Sequence, residues 1–477
     1  MRRFICLLPL SLCALCSHAQ STHDEDIDVQ RITDEYLPVP DEGQDYEDVY
    51  ENLVQLMSSQ LDLNTATAQE LQSLHILNDA QIDSFMEYRN HSGNLLDVYE
   101  LQIIPGFDEG VLKTLRPFVC VIDPSEKIDR KLLARIFSPG HSYFVSRYER
   151  TLETKKGFRR TADSTSVYQG SPDKIYFRFR SSLPGDFSFG VTGEKDAGER
   201  IVLDPRRKQW GFDFTSWHCQ VRNKGKIKNL IAGDFQTQFG QGLVVGGAFS
   251  LGKGGESVAT LRKANVGFQP YTSVNENAYQ RGLAITLQAF RGVEISVSYS
   301  YRFRDASQAL ADETPGVTSF QTSGYHRTVS EISNRKKIAE QNTTVVLNLN
   351  RKKIESGVVI NYIHFDTEIK RRPTLHNQHA FTGNRNLNTS CYINYQIANI
   401  SMFSEIARAL SGGWGMIIGS LMSAHPDLEL AILYRNYQRD YHTFSSSAFS
   451  ENTQPVNERG VYWGWKYTWS RGYSFTK

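Results

Sequence analysis

The chain has 477 residues, of which 40% are hydrophobic and 12% aromatic, and its 53 Lys and Arg nearly balance its 52 Asp and Glu, for a net charge of +1. It offers no run of roughly 18 consecutive apolar residues, which excludes membrane-spanning helices. Three of its six cysteines lie within the first 16 residues, and the other three (Cys120, Cys219 and Cys391) are scattered and odd in number, which excludes a disulfide framework.

The near-neutral total hides a division of charge along the chain. Residues 20–120 contain 21 Asp and Glu against 4 Lys and Arg, a balance of −17. With Arg2 and Arg3 set aside, the remainder holds 47 basic and 31 acidic residues, a balance of +16. Opposite charge in two regions predicts two regions with different roles.

The N-terminus has the pattern of an export signal. Arg2 and Arg3 precede an apolar run from Phe4 to Cys16, and Ser17-His18-Ala19 forms a small-x-small cleavage site. This pattern predicts a signal peptide over residues 1–19 and an exported protein. Residues 20–51 are acidic and poor in apolar residues, so we predict a disordered segment there.

Residues 52–121 change to a helical period and predict a small all-α domain. Thr65 is the predicted cap of the first helix, the third helix is expected to begin near Asp97, and Pro105-Gly106 interrupts the pattern before Val111 to Leu115 resume it. The apolar faces of the first three predicted helices carry Leu71 and Leu74, then Ile82, Phe85, Met86 and Tyr88, then Val98 and Leu101. Residues 122–139, which end in Ser138-Pro139, are the predicted linker.

From residue 140 to residue 477 the period becomes two. Between Val293 and Phe303 the odd positions are apolar or aromatic, and the even positions are Glu, Ser or Arg. The alternating run from Leu283 to Leu287 lies just upstream and is joined to it by a short connection ending in Arg291-Gly292, which predicts a tight hairpin. Roughly 14 to 16 runs of about ten residues recur, the length that a tilted membrane strand needs.

Two β-architectures fit this alternation, a soluble sandwich and a membrane barrel. We favour a large antiparallel transmembrane β-barrel, because one face of the predicted strands ends in aromatic residues and the other carries Arg, Lys, Glu and Asn, which suits a wet lumen. A sheet that spans a membrane must close on itself, since hydrocarbon leaves its edge groups without partners. The prediction is therefore a Gram-negative outer-membrane barrel with its N-terminal domain in the periplasm.

Residues 61–119 resemble the helix-hairpin-helix domain of competence-type, ComEA-like proteins. The resemblance rests on Leu63-Asn64-Thr65-Ala66, Glu70-Leu71, Glu87-Tyr88-Arg89, Leu95-Leu96-Asp97-Val98, Glu100-Leu101 and Pro105-Gly106. It implies hairpin turns whose backbone N–H groups contact a DNA phosphate.

The two turns depart from that family pattern. The first turn (His75, Ile76, Leu77 and Asn78) has no glycine, and the second turn (Pro105, Gly106, Phe107 and Asp108) continues into Glu109, which places two carboxylates where a phosphate would dock. Phosphate binding depends mainly on Lys and Arg, whereas this region is acidic. We therefore predict that the fold serves protein contact and disfavour DNA as its partner.

Most of the chain is similar to a family of envelope proteins that combine a signal peptide, this helical domain and a β-region rich in glycine and tyrosine. The residues that carry the likeness are Gly233-Asp234-Phe235, Phe239-Gly240-Gln241-Gly242-Leu243, Pro270-Tyr271-Thr272-Ser273, Asn275-Glu276 and Arg281-Gly282. The resemblance implies an architecture and leaves the activity open.

Three motifs suggest possible chemistry. Residues 247–254 (GAFSLGKG) approach a phosphate-binding loop, but Gly254 replaces the hydroxyl that would hold Mg²⁺, and the motif lies in the β-region. His326 and Ser330 allow a barrel hydrolase, although no orienting group or oxyanion donor can be assigned. His376 and His379 have a metal-like spacing without a nearby partner. We predict no cofactor, no metal and no catalytic residue.

These observations predict a channel or a structural and interaction component of the envelope, and not an enzyme. The expected partners are outer-membrane lipid and a periplasmic or envelope protein that binds the acidic helical domain. A DNA-uptake protein and an outer-membrane hydrolase are the alternatives.

The C-terminus differs from the usual ending of a barrel, which is an aromatic residue on the last strand. Phe475 lies two residues before the end of this chain, and the last strong alternating run is Val461 to Trp469. We therefore expect further strands beyond Lys477, and a gap between Val461–Trp469 and the first strand near Tyr143–Tyr148.

Overall fold

The computed structural model describes residues 57, 60–122, 142–159, 167–204, 209–247, 258, 260–308, 316–351, 353–371, 374, 377–425, 427–452, 454–469 and 473–476. The predicted signal peptide, the predicted disordered segment and nearly all of the predicted linker lie outside these residues. In the described part of the chain, no helix has the length and the apolar character needed to cross a bilayer.

The first described unit is a small helical domain between residues 60 and 122. Its α-helices are α1 (Ala68–Ser73), α2 (Asp79–Ser92) and α3 (Glu109–Leu115), and two 3-10 helices cover Val98–Ile103 and Arg116–Phe118. Strand β1 (Leu61–Asp62) pairs in parallel with strand β2 (Val119–Cys120), so the two ends of the domain lie side by side. The core consists of the buried residues Leu63, Ala66, Leu71, Leu74, Leu77, Ile82, Phe85, Leu95, Leu101, Ile104, Phe107, Leu112, Leu115, Phe118 and Val119.

Side-chain caps define where these helices begin. Thr67 caps α1, Asn78 caps α2 and Asp97 caps the 3-10 helix, and each forms a reciprocal capping box with the residue three positions later. The prediction that Thr65 caps the first helix is wrong, because the Thr65 hydroxyl bonds to Asp62 Oδ2 at 3.1 Å. The third predicted helix begins after Asp97 as expected, but it is a 3-10 helix.

The rest of the described chain is one large antiparallel β-sheet with short additions, as the sequence predicts. In addition to a third 3-10 helix (Lys156–Phe158) and helix α4 (Val329–Asn334), it contains β3 (Ser142–Arg150), β4 (Asp173–Leu183), β5 (Phe187–Lys195), β6 (Val202–Asp204), β7 (Gln209–Gly211), β8 (Phe214–Lys224), β9 (Ile227–Gln238), β10 (Gly267–Pro270), β11 (Gln280–Phe290), β12 (Val293–Arg304), β13 (Ala306–Gln308), β14 (Val317–Phe320), β15 (Ile338–Arg351), β16 (Ile354–Ile369), β17 (Gly383–Ile397), β18 (Ile400–Ala409), β19 (Trp414–His425), β20 (Leu428–Tyr437), β21 (Glu458–Trp469) and β22 (Tyr473–Thr476). Fourteen of the described strands have nine to sixteen residues. Their number agrees with the roughly 14 to 16 predicted runs, and several of them are longer than the predicted length of about ten residues.

The alternation of β12 shows how the sheet is oriented. Ser296, Ser298 and Ser300 are at most 2% exposed, whereas Tyr299 and Tyr301 between and beside them are 49% and 44% exposed. The predicted hairpin is confirmed by the register of β11 and β12, in which Leu283 pairs with Tyr299 and Leu287 with Ile295. Polar side chains therefore face the interior of the curved sheet, and apolar side chains face outward.

The strands form a barrel with a seam. Their order runs around a closed ring in which β22 comes next to β3. Residue-by-residue pairing continues from β3 through β12 and β15 to β22, but within the described residues no such ladder joins β21 or β22 to β3. Seven of the nine residues of β3 are exposed, as expected at an edge. Val461–Trp469 lies in β21, which pairs with β20 and β22. The expectation of strands beyond Lys477 stays a prediction.

The two ends of the barrel differ. At one end, here named the turn end, the strands are joined by short turns such as residues 184–186, 225–226, 291–292 and 398–399. At the other end, named the loop end, the connections are longer and include residues 196–213, 305–337 and 438–457. The helical domain lies at the turn end, because Thr65 lies against Gly185 in the first of the short turns.

Candidate functional site: the filled lumen and the docked helical domain

The end of β9, strand β10 and the described residues between them fold into the barrel and are named the inner segment (residues 236–247, 258 and 260–270). Gly233 has a φ of +103°, a left-handed conformation that favours glycine, and the ladder between β8 and β9 ends there. Beyond this bend, Phe239, Leu243 and Val244 are at most 3% exposed and pack against residues from several strands of the wall. The glycine-rich stretch from Asp234 to Gly246 is therefore not one regular strand, because β9 ends at Gln238.

Glu405 on β18 fixes the inner segment to the opposite wall. Its Oε2 accepts hydrogen bonds from the backbone N–H groups of Gln241 (2.7 Å) and Leu243 (3.1 Å), and its Oε1 accepts one from Ser390 Oγ (2.6 Å). Glu405 is 1% exposed. Three donors from the inner segment and the wall thus satisfy this buried carboxyl group, as buried polar groups require.

A loop-end connection between β20 and β21 packs against the inner segment. Tyr441 is 1% exposed, and its hydroxyl donates to the Leu243 carbonyl at 2.9 Å. Val245 and Ser445 form an isolated parallel bridge, and Tyr437 donates to the Phe449 carbonyl at 2.7 Å. Two stretches of chain thus fill the centre of the barrel.

Arg262 of the inner segment joins this filling to the helical domain. Its Nη1 donates to Asp79 Oδ2 at the start of α2 (3.0 Å) and to Ser401 Oγ on the barrel wall (2.7 Å). The Gln72 amide oxygen, in the orientation that satisfies both groups, accepts from Arg262 Nε at 3.1 Å. The side chains of Arg262 and Asp79 are 8% and 18% exposed, so the ion pair is largely shielded from water.

Two further polar contacts seat helix α1 on the barrel. Gln69 Nε2 donates to Glu355 Oε2 at 2.7 Å, and Arg222 on β8 forms an ion pair with Glu70 Oε1 at 2.5 Å. Burial raises the pKa of Glu70, but the Arg222 guanidinium and the hydrogen bonds from Thr67 outweigh burial and hold the pKa of Glu70 below its ordinary value. The helical domain therefore covers the turn end through ionised and amide groups of complementary chemistry.

The first predicted hairpin turn faces the barrel. His75 adopts the left-handed conformation (φ 55°) that glycine usually supplies in such turns. His75, Ile76, Leu77 and Asn78 line a small cavity together with Asn399, Leu421 and Lys466 of the barrel, and Asn78 Nδ2 lies 3.4 Å from Glu429 Oε1. The first hairpin turn is therefore in contact with the barrel of the same chain.

The second predicted hairpin turn points away from that contact. Pro105, Gly106 and Asp108 are exposed, and Phe107 is buried in the helical core. Gly106 takes a φ of +91°, and its carbonyl accepts from Gln81 Nε2 at 2.6 Å. Asp108 caps α3 by accepting from the Val111 N–H at 2.8 Å. The Asp108 carboxylate therefore caps the N-terminus of α3.

A buried ionic cluster lies at the loop end around His326. Its Nδ1 lies 2.5 Å from Asp213 Oδ2, and its Nε2 lies 2.6 Å from Asp305 Oδ2. Burial lowers the pKa of His326, but the hydrogen bonds to Asp213 and Asp305 outweigh burial and raise it to about 10. Burial and the charge of Asp213 raise the pKa of Glu199 to about 7. Both ring nitrogens of His326 are therefore donors, and the imidazolium ties several loops together.

This arrangement bears on the hydrolase and metal interpretations. Ser330 lies exposed on α4, and both ring nitrogens of His326 are already bonded to carboxylates, so the structure does not join these two residues as nucleophile and base. Two groups that share His326, one with Glu199 and Asp213 and one with Glu276 and Asp305, have ligand atoms close enough for a metal ion. Residues 248–254 of the motif that approaches a phosphate-binding loop lie outside the described residues, and so does His376. Nε2 of His379 lies 3.4 Å from Nη1 of Arg439.

Sequence reasoning missed the residues that join the two units. Arg222, Arg262, Glu355 and Glu405 lie in segments whose alternation gives no sign of their partners, because those partners are far away along the chain. The only available signal was the density of glycines around residues 233–247, which predicts that a strand bends or a loop folds inward, and Gly233 confirms it.

Residues 57–120 match the family model of the helix-hairpin-helix motif. No curated protein matches the chain. Solved structures similar to it include OmpT, an outer membrane protein of Vibrio cholerae (12% identity, 69% of this chain and 95% of that one, TM-score 0.27), OmpF of Salmonella typhi (11%, 69% and 85%, 0.28) and OprB of Pseudomonas putida (11%, 62% and 77%, 0.31). The barrel of this chain is established by its own strand pairing.

Proposed function

We propose that this protein is an outer-membrane β-barrel that its own chain keeps closed, and that it acts as a structural or interaction component of the envelope without enzymatic activity. The membrane location is supported by the inversion of the usual pattern of burial. Outward residues such as Val297 and Tyr299 are apolar and exposed, whereas inward residues such as Ser298 and Ser300 are polar and buried. An apolar outer surface suits lipid, and a polar interior suits a membrane barrel.

The contacts of Arg262 carry the proposal that the barrel is closed. This one guanidinium joins Asp79 of the helical domain, Ser401 of the wall and the inner segment to which it belongs. Inside the lumen, Glu405 holds Gln241 and Leu243. A passage for solutes would require both sets of contacts to open.

The lengths of the connections between strands support an orientation of the barrel in the membrane. Barrels of this class have short periplasmic turns and longer outer loops. We therefore place the turn end and the helical domain in the periplasm, and the His326 cluster at the cell surface.

A protein partner is favoured over DNA. Residues 60–121 hold nine Asp and Glu against three Lys and Arg, a net charge of −6, which opposes phosphate binding. The first hairpin turn contacts the barrel, and the exposed second turn presents Asp108 and Glu109. The surface that remains free includes Leu96, which is 90% exposed, and Ile103, which is 71% exposed. We propose that a periplasmic or envelope protein contacts this surface.

Conductance across a planar lipid bilayer tests the closed state. The purified full chain should insert without steady current steps, whereas Arg262→Ala should give intermittent openings, because it removes the bond between the helical domain and the filled lumen. Arg459→Ala is the matched control, since Arg459 is exposed at the loop end and its side chain, among the described residues, donates to the Tyr434 hydroxyl alone. Stable open pores of the wild-type chain would show that it is a channel.

Location and orientation need a separate measurement. The mature chain should fractionate with the outer membrane and migrate differently on gels when unheated, as folded barrels do. Protease added to intact cells should leave the helical domain whole, and it should cleave the domain only after the outer membrane is permeabilised. Recovery in the soluble periplasm would contradict the proposal.

A further inference from the structure

A cavity of about 170 Å³ lies between the helical domain, the inner segment and the inner face of the wall at the turn end. It is named the Arg180 cavity. The wall contributes Arg180 and Arg222, the helical domain contributes Asp62 and Glu70, and the inner segment contributes Gln236 and Gln269. Three separate parts of the chain thus present polar groups to one space.

Arg180 supplies an incompletely bonded positive charge to this space. It is 5% exposed, and its Nε and Nη1 have no hydrogen-bond partner among the described residues. Its guanidinium donates to the Tyr143 hydroxyl on β3. Within the described residues no carboxylate forms an ion pair with it. A buried guanidinium with free donors is costly unless an acceptor satisfies it.

The other charged groups of the cavity are already engaged. Arg222 and Glu70 form an ion pair at 2.5 Å. Asp62 accepts from the Thr65 hydroxyl at 3.1 Å and from the backbone N–H groups of Asn64 (3.2 Å) and Ile122 (3.3 Å). Because both carboxylates are held by partners of their own, the guanidinium donors left for an added acceptor are Nε and Nη1 of Arg180 and Nε of Arg222. The carboxylates of the helical domain, Asp62 and Glu70, line the same cavity and repel further negative charge, which limits the occupant to one small anion.

We propose that the Arg180 cavity binds a small oxyanion, a carboxylate or a phosphate, with its charged oxygens on Arg180. Ser188 and Gln220 of the wall and the hydroxyls of Thr65 and Ser73 line the space around it. Oxyanions are the natural acceptors for guanidinium donors, since charge-assisted hydrogen bonds are short and strong. The ligand contacts both the barrel and the helical domain, so its binding and the docking of the domain stabilise each other.

Calorimetric titration of the folded full chain in detergent tests the site, with acetate and inorganic phosphate as separate probes at constant ionic strength. We expect saturable binding of one anion per chain, and the two probes distinguish a carboxylate site from a phosphate site. Arg180→Gln should weaken binding roughly tenfold to a hundredfold, the range for loss of hydrogen bonds to a charged group. Arg180→Lys keeps the charge and should retain part of the affinity.

The controls separate this proposal from loss of folding and from the proposal of a closed barrel. Arg459→Gln makes the same chemical change at the loop end and should leave binding unaltered. The shift in gel mobility on heating verifies that each variant is folded. The calorimetric test measures anion binding and not conductance. Binding would therefore still support the anion site if the wild-type barrel proved to be open. Absence of binding by the folded wild-type chain, or equal binding by Arg180→Gln, would overturn the proposal.

Discussion

Gly185 in the turn between β4 and β5 lies directly against Thr65 of the helical domain. A Cβ added at Gly185 would lie 2.5 Å from Thr65 Oγ1, a hydroxyl that is itself held by Asp62 at 3.1 Å. We expect Gly185→Ala to push the helical domain away from the barrel. Hydrogen exchange of the backbone amides of α1 should become several-fold faster, because the contacts of Gln69 and Glu70 with the wall loosen together.

Gly225 provides a matched control at the same end of the barrel. It also has a left-handed conformation, with a φ of +61° against +70° for Gly185, but a Cβ there would meet nothing within 4 Å. Both substitutions therefore carry a similar backbone cost, roughly 1 kcal/mol. If Gly225→Ala accelerates exchange in α1 as much as Gly185→Ala does, the contact with Thr65 does not hold the domain.

The acidic hairpin surface leads to a prediction about DNA. Isolated residues 52–121 should show no DNA binding in a gel-shift experiment at physiological salt, since the exposed turn presents Asp108 and Glu109 and the domain has few cations. The buried core that the domain forms by itself makes this fragment a fair probe. Micromolar binding with a steep dependence on salt would instead favour the DNA-uptake alternative.

Loss of the Glu405 carboxylate should loosen the filled lumen. Glu405→Ala leaves the N–H groups of Gln241 and Leu243 and the Ser390 hydroxyl without their acceptor, and we expect a cost of about 2–4 kcal/mol in the free energy of unfolding. Glu405→Gln retains a carbonyl acceptor and should cost less. Thermal unfolding in detergent measures both, and equal stability of the three proteins would contradict this role.

The His326 cluster predicts a dependence of stability on pH. The pKa of His326 is raised from 6.5 to about 10 in the folded chain. The contribution of His326 to stability is therefore complete below pH 6.5 and is lost as the pH rises to about 10. The raised pKa of Glu199 acts in the same direction, between pH 4.5 and about 7. The midpoint of thermal unfolding should therefore fall from pH 6 to pH 10.

A pair of histidine variants isolates this effect. His326→Gln should be less stable than wild type at pH 6 and should show a smaller fall on the way to pH 10. His91→Gln removes an exposed histidine from α2 and should follow the wild-type curve. An equally steep fall in His326→Gln would assign the pH dependence to other groups.

The barrel strands could be predicted from the sequence because burial alternates with the same period of two as polar and apolar residue types. In β12, each apolar residue from Ile295 to Phe303 is exposed and each intervening Ser is buried, so local composition alone determines the pattern. The helical domain was also predictable, since Leu71 on α1 and Leu74 at its C-cap, and Ile82 and Phe85 on α2, recur at helical spacing and become part of the core of the domain. The prediction of Thr65 as the helix cap was wrong because Thr67 is followed, three residues later, by Glu70, which completes a capping box with it.

The candidate site depends on contacts between distant segments, which local patterns do not encode. Arg262 and Asp79 are separated by 183 residues, and Gln69 and Glu355 by 286. His326 meets Asp213 only because two loops meet at the same end of the barrel. Each of these residues, taken alone, is an ordinary polar residue in a loop or on an inward face, and only the closed arrangement of strands brings the partners together.

The parallel pairing of Leu61 with Val119 and of Asp62 with Cys120 makes the helical unit a modular insertion. Neighbouring strands lie about 4.8 Å apart, so the chain enters and leaves the unit at almost the same point. Excising the residues between these two strands would leave two ends of the chain that need only a minimal splice. Gain or loss of such a unit during evolution, or its replacement in the laboratory, is therefore possible without rebuilding the barrel.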